Sequence, residues 1–94
     1  GGGLAENLER ILPEGVRVQI QRGSWPIPPV FSWLARLGEI DESEMDRVFN
    51  MGVGLVLVVS AYYAESVSSR LAELGFANWV IGDVSVGDRG AFLA

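Results

Sequence analysis

An uninterrupted apolar stretch at 55–59 sets the first limit on the architecture of this 94-residue chain. All five of its residues are leucine or valine, and a strand that is apolar at every position is typical of one buried on both faces. Such a strand needs a layer of structure on each side, whereas a bilayer span needs ~20 apolar residues. The stretch therefore predicts a buried strand inside a layered globular domain.

The spacing of the remaining apolar residues predicts the other elements. In chain order the sequence predicts a helix over 4–12, a strand over 16–21, helices over 30–37 and 41–49, the strand over 55–59, a helix over 60–74, a strand over 79–86 and a short return strand over 91–93. This order predicts an α+β fold related to the ferredoxin-like split β-α-β arrangement. We expect a mixed sheet of three or four strands packed with helices.

The ferredoxin-like arrangement requires a strand before its first helix, and that strand is missing from this order. The chain opens on Gly1, Gly2 and Gly3, which lead directly into the predicted helix. We therefore expect residues 1–94 to form a single partial domain of a longer protein. A neighbour of the missing strand would keep an unpaired edge, which recruits another chain, so we also expect self-association.

The composition excludes most catalytic chemistry. The chain has no lysine, histidine or cysteine. It therefore lacks the usual general base, a Schiff-base or P-loop lysine, thiolate nucleophiles and the usual transition-metal ligands. The sequence predicts no metal site, and the chain is poorly equipped to act as an enzyme by itself.

The charge distribution argues against nucleic acids and membranes as partners. The net charge is −5, and the seven arginines are spread over the chain without a cluster. Phosphate-backbone binding requires a basic stripe, and no segment here is long and apolar enough to span a bilayer.

Gly1, Gly2 and Gly3 form the first candidate site. Bare backbone N–H groups before a helix attract anions, so these glycines could cradle a phosphate. A flexible end without a ligand is the alternative.

Asn50 is the second candidate, because it precedes Gly52 and Gly54 at the entrance of the predicted 55–59 strand. Glycines at such a position let a ligand or a backbone approach closely, and Asn50 would supply an amide to it. A helix stop followed by a bulge is the alternative.

The tryptophans are assigned to different environments. Trp25 lies among prolines and either stacks on a ligand or fills a hydrophobic gap between two helices. Trp33 and Trp79 lie in apolar patterns, and both are predicted to be in the core, as is the apolar face of the helix over 60–74.

Four sequence blocks together resemble the C-terminal domain of the AIR synthetase family, the phosphoribosylformylglycinamidine cyclo-ligases. The blocks are the Gly-Gly-Gly-Leu-Ala-Glu-Asn segment at 1–7 with Leu-Pro-Glu-Gly at 12–15, the Trp-Pro loop at 23–31, the Asn-Met-Gly-Val-Gly segment at 50–54 and the strand at 79–84. Their order and spacing match the family from residue 1 to about 86.

The resemblance implies a cytoplasmic ATP-dependent ligase of purine biosynthesis. In that family, ATP with magnesium phosphorylates the amide oxygen of formylglycinamidine ribonucleotide, and an amidine nitrogen then displaces phosphate to give aminoimidazole ribonucleotide. The nucleotide and magnesium ligands lie mostly in an N-terminal ATP-binding domain that this chain lacks. The chain also begins after the His-Ile-Thr of the family's glycine motif, so we expect it to be inactive alone.

The resemblance carries over only a few site residues. It implies Gly1, Gly2 and Gly3 as backbone phosphate binders, with Asn50 and Asn7 as polar groups of the cleft, and it leaves the catalytic residues unassigned. The implied enzyme is a homo-oligomer. Two alternatives stay open: a stand-alone non-catalytic binding or assembly module, and part of a related ATP-dependent synthetase.

Overall fold

A three-stranded mixed sheet forms the centre of the fold in a computed structural model that describes residues 2–94. Strand β1 (Val16–Ile20) lies between β2 (Gly82–Val86) and β3 (Gly90–Leu93). It pairs antiparallel with β2 and parallel with β3. The predicted mixed sheet of an α+β fold is therefore confirmed.

The side chains of β1 alternate between two environments. Val18 and Ile20 are buried, with Ile20 fully inaccessible at 0% exposure. Arg17 and Gln19 point to the other face, where the Arg17 guanidinium carbon lies 3.9 Å from the centre of the Phe92 ring. This period of two is the pattern from which the strand was predicted.

Four helices surround or extend from the sheet within the described residues. They are α1 (Leu4–Glu9), α2 (Pro29–Leu37), α3 (Glu42–Val48) and α4 (Ala64–Glu73), the last preceded by a 3₁₀ turn at Ala61–Tyr63. No helix in this part of the chain has both the length and the apolar character needed to cross a membrane.

Local signals determine where α2 and α3 begin. Pro29 is the first residue of α2, where the missing N–H of proline costs nothing and its fixed φ favours the helix. Asp41 caps α3 by accepting a 3.0 Å hydrogen bond from the N–H of Glu44 at Oδ1. Both starts agree with the predicted helices.

Arg89 connects the sheet to α1. Residues 87–89 carry the chain across the beginning of β1, and the Arg89 guanidinium then donates to the carbonyls of Glu9 at 2.7 Å and Leu12 at 2.8 Å. Carbonyls at a helix C-terminus have no partner within the helix, and a cation there complements the helix dipole. Arg89 therefore satisfies the end of α1.

The hydrophobic core lies where α1, α3 and the loop before α2 meet β1. Its buried members are apolar and few, which fits the thin core expected of a chain this short. They are Leu4, Leu8, Leu12, Val18, Ile20, Trp25, Met45 and Met51.

The predicted strand over 55–59 is wrong. This segment pairs with no strand among residues 2–94, and Leu55 and Leu57 are 81% and 52% exposed. A strand requires a hydrogen-bonded neighbour as well as an apolar sequence, and none is adjacent. A β-α-β crossover through α4 would therefore have no first strand, and β2 begins at Gly82 instead of residue 79.

The apolar face of α4 and two tryptophans are also exposed, against prediction. No residue of α4 is buried, and Trp33 and Trp79 are 53% and 50% exposed. The amphipathic patterns were interpreted correctly as apolar faces, but no layer among the described residues covers those faces.

Candidate functional site

The glycine motif is held by Asn7. The Asn7 side-chain amide donates hydrogen bonds of 2.9 Å to the carbonyls of both Gly2 and Gly3. The N–H groups of Gly2 and Gly3 donate no backbone hydrogen bond within residues 2–94. Asn7 therefore fixes the carbonyls of Gly2 and Gly3, the second of which is buried. Gly1, also predicted to bind phosphate, lies outside the described residues.

Backbone conformation at one position and packing at another require glycine in this motif. Gly2 has a φ of +125°, a conformation that L side chains rarely adopt. A Cβ on Gly3 would clash with the carbonyl oxygen of Asp46 and lie 2.8 Å from its carbonyl carbon. Gly3 is thus the point where the beginning of α1 touches the backbone of α3.

Asn50 lies just beyond α3 in a tight turn. Its Oδ1 accepts a 2.9 Å hydrogen bond from the N–H of Gly52, which forms an Asx turn. Met51 and Gly52 have φ values of +54° and +96°. The predicted helix stop is thereby observed, and the exposed Asn50 amide nitrogen donates no hydrogen bond within the described part of the chain.

Trp25 fixes the turn that carries Asn50. Its side chain is only 5% exposed, and its Nε1 donates a 3.0 Å hydrogen bond to the carbonyl of Met51. Trp25 was predicted either to stack on a ligand or to fill a hydrophobic gap, and the structure shows the second arrangement. The ring fills the core and orients residues 50–52 through this one hydrogen bond.

The structure brings the glycine motif and α3 together and leaves Asn50 nearby. Gly3 contacts Asp46, and Asn50 follows Asp46 by four residues, which limits their separation to at most about 14 Å. No hydrogen bond joins Asn50 to Gly2, Gly3 or Asn7 within residues 2–94. The predicted polar groups therefore flank one region without forming a closed site.

Paired arginines surround this region and were not predicted as site residues. Arg22 forms a two-pronged ion pair with Asp46, with hydrogen bonds of 3.1 and 2.5 Å. Asp46 lies 24 residues from Arg22 in the sequence, so no local sequence pattern predicts the pair. The hydrogen bond to Asp46 raises the pKa of Arg22 above its ordinary value.

A second arginine pair lies on the surface of α3. Arg47 donates two hydrogen bonds to Glu44, of 3.0 and 2.5 Å. The hydrogen bond from Arg47 lowers the pKa of Glu44 below its ordinary value. The stability that the Glu44 carboxylate contributes through this pair is therefore fully present above the ordinary carboxyl pKa. It is lost as the pH falls through the lowered pKa of Glu44. The spacing of three residues was the signal that could have predicted this pair.

The acidic side chains near the glycine motif bear on whether this region fits a metal ion. Among residues 2–94, no group of three or more Asp or Glu side chains is arranged to hold one. Mg²⁺ in nucleotide sites is held by one or two carboxylates together with phosphates. The acids near the glycine motif are instead paired with arginines, Asp46 with Arg22, Glu44 with Arg47 and Glu6 with Arg10. The described residues therefore do not fit a magnesium–nucleotide site.

We expect Trp25→Phe to lower the free energy of unfolding by about 1–2 kcal/mol, because the buried Met51 carbonyl loses its hydrogen-bond donor. Urea unfolding followed by circular dichroism measures the change. Trp79→Phe is the matched control, since Trp79 is half exposed and should change stability by less than about 0.5 kcal/mol. Equal losses in both variants would contradict the anchoring role of Trp25.

Comparison with known proteins decides the family. Residues 1–93 match the family described as AIR synthase related protein, C-terminal domain. The chain belongs to this family. The AIR synthetase resemblance predicted from the four sequence blocks is confirmed across nearly the whole chain.

Individual relatives agree with the family assignment. The chain is 50% identical over 93 residues to the phosphoribosylformylglycinamidine cyclo-ligase of Pseudothermotoga lettingae, covering 99% of this chain and 28% of that protein. The cyclo-ligase of Symbiobacterium thermophilum is 47% identical over 90 residues, covering 96% and 26%. That of Caldanaerobacter subterraneus is 45% identical over 93 residues, covering 99% and 28%. The chain thus spans about a quarter of the length of these AIR synthetases.

Proposed function

We propose that this chain supplies part of the substrate cleft of a phosphoribosylformylglycinamidine cyclo-ligase. In this proposal Gly1, Gly2 and Gly3 bind the phosphate of formylglycinamidine ribonucleotide through backbone N–H groups, and Asn50 contacts a polar part of the same substrate. The observation that supports it is the Asn7 amide, which holds the Gly2 and Gly3 carbonyls, while the N–H groups of these two glycines donate no backbone hydrogen bond within the described residues.

The chain performs no catalytic step alone in this proposal. It has no lysine, histidine or cysteine, and its described residues do not fit magnesium with a nucleotide. ATP and magnesium are therefore assigned to the N-terminal domain of a longer enzyme, of which this chain is a single partial domain. That enzyme would close the imidazole ring in purine biosynthesis, in the cytoplasm and as a homo-oligomer.

A non-catalytic binding or assembly module is the second candidate function. The pairing of Arg22 and Arg47 with acidic partners favours it, because these cations are already neutralised by acids beside the glycine motif. The two functions differ in ligand binding, since only the cyclo-ligase part requires affinity for the ribonucleotide.

Calorimetric titration tests the proposed function. We expect the purified chain to bind formylglycinamidine ribonucleotide and not ATP with magnesium. Asn7→Asp should weaken ribonucleotide binding by about tenfold or more, because the carboxylate cannot donate to the glycine carbonyls and adds negative charge beside the phosphate.

Asn78→Asp provides the matched control. The Asn78 amide also donates to two backbone carbonyls, those of Ser68 and Phe76, in a different part of the fold. We expect this variant to bind the ribonucleotide as the unmodified chain does. Tight ATP binding, silence towards the ribonucleotide, or equal effects of the two variants would each contradict the proposed half-site.

A further inference from the structure

Arg22 forms the ion pairs that join distant parts of the sequence. Among residues 2–94, every other ion pair connects side chains three or four residues apart. Arg22 pairs instead with Asp46, and its Nε also lies 3.7 Å from Oε1 of Glu42. Both acids belong to α3 and are one helical turn apart. Arg22 therefore connects the end of β1 to α3 at two points.

The backbone of Arg22 is fixed by the sheet. Arg22 follows the end of β1 closely, and the hydrogen bonding of the sheet continues through it. The N–H of Gln21 donates to the carbonyl of Ile81, and the N–H of Arg22 donates to that of Ala94, both at 2.7 Å. The guanidinium thus extends from a point that is held on both sides, so its contacts can determine where α3 lies.

The Arg22–Asp46 pair has the geometry needed to hold a helix in place. Its two parallel hydrogen bonds fix the relative orientation of both side chains. The side chains are only 29% and 18% exposed, whereas ion pairs on an open surface contribute little. Without the guanidinium, the partly buried Asp46 carboxylate has to move towards water to be solvated. Loss of Arg22 therefore displaces α3.

Both parts of the proposed cleft depend on the position of α3. The backbone carbonyl of Asp46 lies so close to Gly3 that no Cβ fits between them. The turn that carries Asn50 directly follows the end of α3. A displacement of α3 therefore moves Asn50 and changes the contact with the glycine motif. Binding sites tolerate shifts of only about 0.5 Å in the groups that contact a ligand.

We propose that Arg22 is a positioning residue of the ribonucleotide cleft. By holding the Asp46 side chain, Arg22 keeps α3 where the glycine motif and Asn50 contact the same substrate molecule. Arg22 itself does not contact the substrate. This inference rests on the proposed function and adds a residue to it that lies outside the cleft.

Titration of formylglycinamidine ribonucleotide into purified variants tests the inference. We expect Arg22→Met to bind about tenfold or more weakly, because it removes the guanidinium and keeps a long side chain. Asp46→Asn should also weaken binding, since it replaces one acceptor of the pair by a donor that faces the guanidinium. The two substitutions change the net charge in opposite directions. A direct effect of charge on the phosphate would therefore make Asp46→Asn bind more tightly.

Further variants separate positioning from a loss of stability. Arg22→Lys keeps the charge and should recover part of the affinity that Arg22→Met loses. Arg70→Met removes the same charge from the Arg70–Glu73 pair on α4 and should bind as the unmodified chain does. Each titration is made where at least ~99% of the variant is folded, so that lower stability by itself leaves the measured affinity unchanged.

The double variant shows whether the two residues act as one unit. Arg22→Met combined with Asp46→Asn should bind no more weakly than Arg22→Met alone, because the same interaction is lost only once. Unchanged affinity of Arg22→Met, tighter binding by Asp46→Asn, or additive losses in the double variant would each overturn the inference while leaving the proposed function intact. Silence of the unmodified chain towards the ribonucleotide would overturn the proposed function, and this inference with it.

Discussion

Ile20→Ala is expected to lower the free energy of unfolding by about 3 kcal/mol, because removing a fully buried isoleucine leaves a cavity. Ile20 lies on β1, the middle strand, and among residues 2–94 it is the largest side chain without any solvent exposure. A chain of this length is stabilised by only ~5–14 kcal/mol. The substitution therefore removes a large fraction of the total stability.

Urea denaturation measures this loss as a lower midpoint at an unchanged slope. Ile11→Ala removes the same atoms from a side chain that is 69% exposed, and it should change stability by less than about 0.5 kcal/mol. Similar losses at the two positions would show that β1 is not the centre of the core.

Gly3→Ala is expected to destabilise the fold strongly. The added methyl group would clash with the Asp46 carbonyl oxygen and lie 3.2 Å from the Arg47 carbonyl carbon. Overpacking costs ~1–3 kcal/mol where side chains can yield, and here the obstacle is backbone. We expect a loss of at least about 3 kcal/mol, with α1 displaced from α3.

Thermal and urea unfolding of Gly3→Ala measure the loss, and Gly54→Ala is the control. Gly54 has no heavy atom within 4 Å of an added Cβ, and its φ is not positive. Its substitution should leave stability within about 0.5 kcal/mol. If Gly3→Ala were equally neutral, the close contact between α1 and α3 would be wrong.

Elements with a local cause were predictable from the sequence. The Asp41 cap precedes α3 directly, and the alternation of 16–20 determines β1 by itself. The strand over 55–59 could not be predicted correctly in the same way, because its apolar composition indicates burial while its pairing depends on a neighbour far away in the sequence. Burial of the apolar face of α4 was predicted wrongly for the same reason.

Some features of the candidate site were also predictable from the sequence, and others were not. The residue pattern before the 55–59 stretch predicted Asn50 as a site residue, and resemblance to the family predicted Asn7. The sequence alone suggested the structural roles of Gly52 and Trp25 as alternatives. The sequence could not predict that the Asn7 side-chain amide donates hydrogen bonds to the carbonyls of Gly2 and Gly3. It also could not pair Arg22 with Asp46, since contacts between distant residues follow from the fold and leave no spacing signal.

The position of β1 between β2 and β3 has a consequence for biosynthesis. Both neighbours of β1 lie within residues 82–93, so the ribosome must complete more than sixty residues after β1 before the sheet can close. Such long-range pairing slows folding. Until then the nascent chain exposes the apolar residues of β1 in addition to the 55–59 segment, and we expect chaperones that bind apolar stretches during translation to bind it.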